Sequence, residues 1–126
     1  MTVWLSHELV LAIHDEQLAV HGGSQGIRGD GLLQSALARP LNRAGYGEPD
    51  SAELAALYAI AIARNQPFID GNKRVGANAA ITFLLMNDWT PTFGEEELVD
   101  LVLSVASGGL NKAGLTDIFE SRCAPR

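Results

Sequence analysis

Asn65-Gln66-Pro67-Phe68-Ile69-Asp70-Gly71-Asn72-Lys73-Arg74 stands at the middle of the chain, between two long apolar runs. Nowhere else are Pro, Gly, Asn and so many charged or amide side chains compressed into ten residues. The run before it, 52 to 64, is apolar almost without a break, with Leu54, Leu57, Tyr58, Ile60 and Ile62 set among alanines. A helix that is hydrophobic all round is a buried one. Pro67 forbids its smooth continuation and biases Gln66 away from helical angles. The run after it, 72 to 87, carries Val75, Ala79, Phe83 and Met86 on one face and Ile81, Leu84 and Leu85 on others. Gly76, Ala77, Ala79 and Ala80 are small and let this helix lie close against a neighbour. Two buried helices with their polar chemistry in the joint between them predict a binding site at the joint.

Working outward, Ser6 is the expected N-cap of a helix from 7 to 21, with Glu8 in its first turn and the Gly22-Gly23 pair at its end. His14 and His21 share a face of this helix and read either as packing and surface residues or as a metal pair. The glycine-rich segment 21 to 31 lacks a GxxxxGK pattern. It reads as a flexible connection or as one wall of a ligand pocket, where glycine lets the backbone come close. Asp30 reads as the N-cap of a short helix, 31 to 39, carrying Leu32, Leu33, Ala36 and Leu37, with Pro40 as its stop. Residues 40 to 50 read as loop, and Ser51 as the next cap. Past the central pair, 89 to 94 is extended and holds Pro91. Glu95-Glu96-Glu97 opens a helix to about 107, three acids suited to its dipole. Gly108-Gly109 ends it, and a last helix covers about 112 to 122. The expected fold is all-α, a compact bundle of about six helices with no substantial sheet, forming one domain over 1–126.

Composition narrows the function classes. The 126 residues are 47% hydrophobic, few of them aromatic, and the formal net charge is −6. Such a balance argues against a broad nucleic-acid footprint while leaving room for one local cationic pocket. One cysteine, Cys123, makes no internal disulfide, which fits a reducing cytoplasm. No apolar run reaches the ~18 residues of a membrane span, and the N-terminus lacks the pattern of a signal peptide.

The joint itself carries anion chemistry. The first N–H groups of a helix lack internal partners and sit at its positive end. Gly71 allows the backbone to curl into an anion-binding nest. Lys73 adds a point charge, Arg74 a planar fork, and Asn72 a further donor. Asp70 is an odd neighbour for an anion unless a hard cation lies between them, which is how Mg²⁺ is commonly held with phosphate oxygens. The residues therefore point to a phosphate or nucleotide site with Mg²⁺. Phe68, apolar among polar neighbours, reads as a plug that pins the loop to the core.

Gln66-Pro67-Phe68-Ile69-Asp70-Gly71-Asn72-Lys73-Arg74 resembles the core motif of the Fic/Doc family, HxFx(D/E)(G/A)N(G/K)R, at eight of its nine positions. The His14 helix, the Gly22-Gly23 turn, the segment from Gly26-Ile27-Arg28 to Leu32-Leu33 and the small-residue helix after the motif are similar to Doc-type (death-on-curing) toxins, so the resemblance covers essentially the whole chain. It implies the all-helical Fic/Doc core, with ATP phosphates and Mg²⁺ bound at the motif. Asp70 would hold the metal, Gly71, Asn72, Lys73 and Arg74 would cradle phosphates, and Asp70, Lys73 and Arg74 would serve catalysis. Lys73, where many adenylyltransferases of the family have glycine, implies the Doc branch, whose members move the γ-phosphoryl group of ATP to a threonine of elongation factor Tu and arrest translation. It also implies a cognate antitoxin whose C-terminal segment crosses the active-site groove.

Gln66 departs from the pattern. The family has histidine there as general base, and glutamine has no group that titrates near neutral pH. Loss of a general base commonly slows a reaction by about 10²–10⁴-fold. Three readings of Gln66 stand: a substitution introduced into an otherwise active chain, a natural variant that binds without transferring, or an enzyme using another base. The competing functions are an adenylyltransferase of the Fic type and a catalytically dead nucleotide- or partner-binding module.

Overall fold

A computed structural model describes residues 1–125. Six helices form in chain order: α1 (His7–His21), α2 (Asp30–Ala44), α3 (Ser51–Asn65), α4 (Asn72–Met86), α5 (Glu95–Ala106) and α6 (Lys112–Arg122). A two-stranded antiparallel ribbon, β1 (Trp89–Pro91) with β2 (Cys123–Pro125), pairs Trp89 with Pro125 and Pro91 with Cys123. The all-α expectation holds, and the extended segment at 89 finds its partner past the last helix.

α3 is the axis of the bundle. Every residue from Leu54 to Ala63 is buried, as is Ala52, and α2, α4, α5 and α6 all pack against it. The closest approach is to α4, where a Cβ added at Gly76 would lie 2.8 Å from the Ala59 carbonyl oxygen. Alanines on both helices permit this spacing and bring the N-terminus of α4 up beside the end of α3. Tyr58 and Phe83 meet across the interface with ring centroids 5.1 Å apart, and Trp4 covers Phe83 from outside.

Three boundaries differ from expectation. Pro40 does not stop α2, which runs on to Ala44. The φ of proline suits a helix, and Pro40 is buried at the next position of the stripe Leu33, Ala36, Leu37, so packing on α3 outweighs the missing N–H. The added turn carries Arg43 to Glu53 of α3 at 2.7 Å. Asp30 is the first helical residue rather than the cap. Gly29 takes the cap position, and the Asp30 carboxylate accepts from Gln34 and faces His7 Nε2 at 2.7 Å. Asp50, not Ser51, caps α3, accepting from the Glu53 N–H at 2.9 Å.

Candidate functional site

α3 ends at Gln66 in the left-handed conformation, with φ 50° and ψ 58°. A non-glycine residue is uncommon there, and such strain gathers at functional sites. Two groups hold it. Its N–H donates to the Ile62 carbonyl, and its carbonyl accepts from Arg28 Nε at 2.8 Å. Arg28 Nη2 also caps the Asn65 carbonyl at 3.0 Å. The Gln66 backbone is thus fixed while its side chain stays exposed.

The loop that follows is pinned from both sides. The Pro67 carbonyl accepts from Arg28 N–H, and Ile69 N–H donates to the Gly26 carbonyl, so segment 26–28 runs antiparallel to the loop. This settles the glycine-rich segment as a wall rather than a loose connection. Phe68 is fully buried and stacks on His14 at 3.9 Å between centroids, 11° from parallel. His14 Nε2 lies 3.0 Å from the Asp70 carbonyl oxygen. A carbonyl only accepts, so His14 carries its proton on Nε2. The remaining polar groups of Phe68 go to Asn72, whose Oδ1 accepts from the Phe68 N–H and whose Nδ2 donates to its carbonyl, both at 2.9 Å.

Beyond the loop Gly71, at φ 83°, turns the chain into α4. Side chains cap the N-termini of α1, α3 and α6, and α2 and α5, which have no side-chain cap, carry acids in their first turns, whereas α4 has neither a side-chain cap nor an acid. That uncapped end opens on a cavity of about 550 Å³ bounded by the α4 first turn, Gln66, Ile69, Asp70 and the end of α1. Lys73 lines it, half-buried, without an ion-pair partner among the described residues. Asp70 sits at the rim. Its Oδ1 accepts from the Gly71 N–H at 2.9 Å and its Oδ2 from the Ser24 N–H at 3.2 Å. A carboxylate has about four acceptor sites, so two such bonds leave capacity for a hard cation. Gly23 presses on this carboxylate, since a Cβ there would stand 2.8 Å from Asp70 Oδ2.

Arg74 faces the same cavity but is occupied. Its Nη1 donates to Glu96 at 2.7 Å and Glu95 at 3.1 Å, and His21 Nε2 lies 3.5 Å away. The Glu96 hydrogen bond holds the guanidinium charged even beyond its ordinary range, and Arg74 in turn lowers the Glu96 carboxyl. The acids read from sequence as dipole compensation for α5 therefore also clasp a motif residue. Glu97, the third, goes to Arg122 at 2.8 Å.

Gln66, Asp70, Gly71, Asn72, Lys73 and Arg74 converge on one cavity, with Phe68 beneath as the plug. Within that group the roles separate. Lys73 and the backbone of the first turn are open to a ligand, the Asn72 amide is engaged by the loop, and Arg74 is engaged by Glu95 and Glu96. His14 and His21 do not form a metal pair, because His14 packs on Phe68 while His21 reaches Glu95 at 3.2 Å. His21, Glu95 and Glu96 do cluster, with the Arg74 guanidinium bonded to both acids there. Ser24, Glu95, Glu96 and Gln17 were not legible as site residues, lying 21 or more positions from the residues they join or carrying no distinctive spacing.

The Fic/DOC family model matches residues 4–84, which span α1 to α3, the loop and nearly all of α4. Over 114 residues, 90% of each chain, the protein is 33% identical to "Protein kinase doc" of Escherichia phage P1. Over 112 residues, 85% of this chain and 83% of the relative, it is 36% identical to "Toxin Doc" of Mycolicibacterium smegmatis. Helix, loop and helix around an uncapped, lysine-bearing N-terminus, within a match across most of the sequence, identify this chain as a member of the Fic/Doc family.

Proposed function

We propose that this protein is a Doc-type toxin that binds ATP with Mg²⁺ in the cavity above α4 and transfers the γ-phosphoryl group to a hydroxyl of a translation elongation factor. The observation that carries the reading is the first turn of α4, without a side-chain cap and with Lys73 beside it making no ion pair among the described residues. Free N–H groups, a positive helix end and an ammonium are what a polyphosphate needs. The exposed Asp70 carboxylate fits the metal, which when bound would neutralise charge developing on the phosphate oxygens. The names of the two relatives, a kinase and a toxin, agree with this reading.

The chain's own residues position rather than react. Gly71 and the α4 first turn orient phosphate oxygens, Lys73 offsets their charge, and Arg74 exchanges Glu96 for phosphate when the site fills. In transfer, the target hydroxyl oxygen bonds to the γ-phosphorus, the bond to the β,γ-bridging oxygen breaks, and the hydroxyl proton goes to a base. Gln66 stands at the mouth of the cavity, where that base belongs, and cannot take the proton. Transfer by this chain is accordingly weak, while binding is retained. A groove of about 640 Å³, lined by Leu11, Leu18 and Ile27 among others, shares Leu18 and Gly23 with the cavity. It suits an antitoxin segment that would cover the site. No helix among the described residues is long and apolar enough to cross a membrane.

The test uses the chain and its Gln66→His variant with α- or γ-labelled ATP, Mg²⁺ and a purified bacterial elongation factor. Label from γ-ATP on the factor, strong with the variant and faint with the parent, is expected. Label from α-ATP alone makes the protein an adenylyltransferase. No transfer by either, with ATP binding intact by calorimetry, makes it a binding module. Absence of ATP–Mg²⁺ binding, unaltered by Lys73→Ala, removes the nucleotide site.

A further inference from the structure

α1 presents three polar side chains on one face, at His14, Gln17 and His21. His14 and His21 have partners, in the Asp70 carbonyl and in Glu95. Gln17 does not. It is 94% buried, it lines the cavity above α4, and its Oε1 is sealed from solvent with no hydrogen-bond partner. No described residue bonds its Nε2 either. Buried polar groups are nearly always satisfied, and a buried orphan costs free energy unless something supplies its bond. The other such atom, Thr116 Oγ1, is on α6 and outside the cavity lining. An unsatisfied amide at the one cavity where Lys73, Asp70 and the α4 first turn also converge is an amide kept for a ligand.

We propose that the Gln17 amide is a ligand contact of this cavity, hydrogen-bonding the bound nucleotide–metal complex from the α1 side. The assignment rests on the nucleotide reading above. The terminal torsion of glutamine is broad, so a small rotation offers the N–H to a phosphate oxygen or the carbonyl to a donor. That donor would come from a metal-bound water or from an N–H or O–H of the nucleoside. Contact from α1 would give the ligand a second wall beside the α4 first turn, in the cavity that Gln17 and Lys73 both line.

The test is the Gln17→Met variant, close in length and volume but without the amide, with Gln17→Ala as a second variant. Thermal unfolding without ligand and calorimetric titration with ATP–Mg²⁺, ATP alone and inorganic triphosphate–Mg²⁺ are measured for each. Removing an orphan should leave the melting temperature of Gln17→Met unchanged or raised. Affinity for ATP–Mg²⁺ should fall about 3–10-fold, the worth of one net hydrogen bond. An equal fall with triphosphate–Mg²⁺ assigns the contact to the phosphate–metal end, and a fall with ATP only assigns it to the nucleoside. Unchanged affinity in both variants overturns the proposal, as does a clear loss of melting temperature in Gln17→Met, which would mean the amide already serves the fold. If the parent chain itself fails to bind ATP–Mg²⁺, the nucleotide reading falls first and the Gln17 contact with it.

Discussion

Replacing Asn72 with alanine separates the structural from the ligand-binding content of the motif. Both ends of its amide hold Phe68, one accepting the N–H and one donating to the carbonyl, each at 2.9 Å. Phe68 is fully buried, and segment 26–28 bonds Pro67 and Ile69 on either side of it rather than Phe68 itself. Asn72→Ala therefore orphans one buried donor and one buried acceptor. Each such group costs about 1–3 kcal/mol. Partial relaxation of the loop toward water brings the expected total to about 2–4 kcal/mol. For a chain of 126 residues 1 kcal/mol corresponds to about 4 °C, so the melting temperature should drop by about 8–16 °C. The assay is thermal and urea unfolding followed by circular dichroism, with Lys73→Ala as the control. Lys73 makes no ion pair among the described residues, so its replacement should move the melting temperature by about 2 °C at most while still weakening ATP–Mg²⁺ binding. An Asn72→Ala protein that melts within about 2 °C of the parent would refute the reasoning, since it would show that the amide does not hold the loop.

Glu53 ties three helices, accepting from Arg43 of α2 at 2.7 Å and Lys112 of α6 at 3.0 Å. Burial alone would raise its carboxyl, but the hydrogen bonds from Lys112 and Arg43 outweigh it and hold the group below the usual value of about 4.5. A depressed folded-state value means stability that is present above the unfolded-state value and lost as pH falls through the folded one. Glu53→Gln should thus cost about 1 kcal/mol at pH 7 and little at pH 3, and an equal cost at both would exclude the ion pair as its source. At Gly76, a methyl group would meet the Ala59 carbonyl oxygen at 2.8 Å. Gly76→Ala should destabilise by about 1–2 kcal/mol, overpacking exceeding the helix-propensity gain. A rise in melting temperature would show that α3 and α4 can part without cost.

The sequence by itself determined the number of helices, their order and the polar loop on which a cavity opens. Helical periodicity and alanine-rich burial are local properties, and so is the Pro-to-Gly break that separates α3 from α4. The nine-residue motif carried the resemblance to the family that the comparisons show. Pro40 misled because its cost is local while its compensation is not. The stripe through Leu33, Ala36 and Leu37 was legible as a pattern, but that Pro40 continues it depends on α3 lying across it. The division of labour inside the motif depended on tertiary structure in the same way. Asn72, Lys73 and Arg74 are equivalent as written, three donors at a helix start. Folding turns Asn72 inward onto Phe68, sets Arg74 against two glutamates from a helix that begins 21 residues later, and leaves Lys73 open to the cavity. Hydrogen bonds and charge pairs act over a few ångströms, so which donor keeps its capacity is decided by what the fold brings beside it.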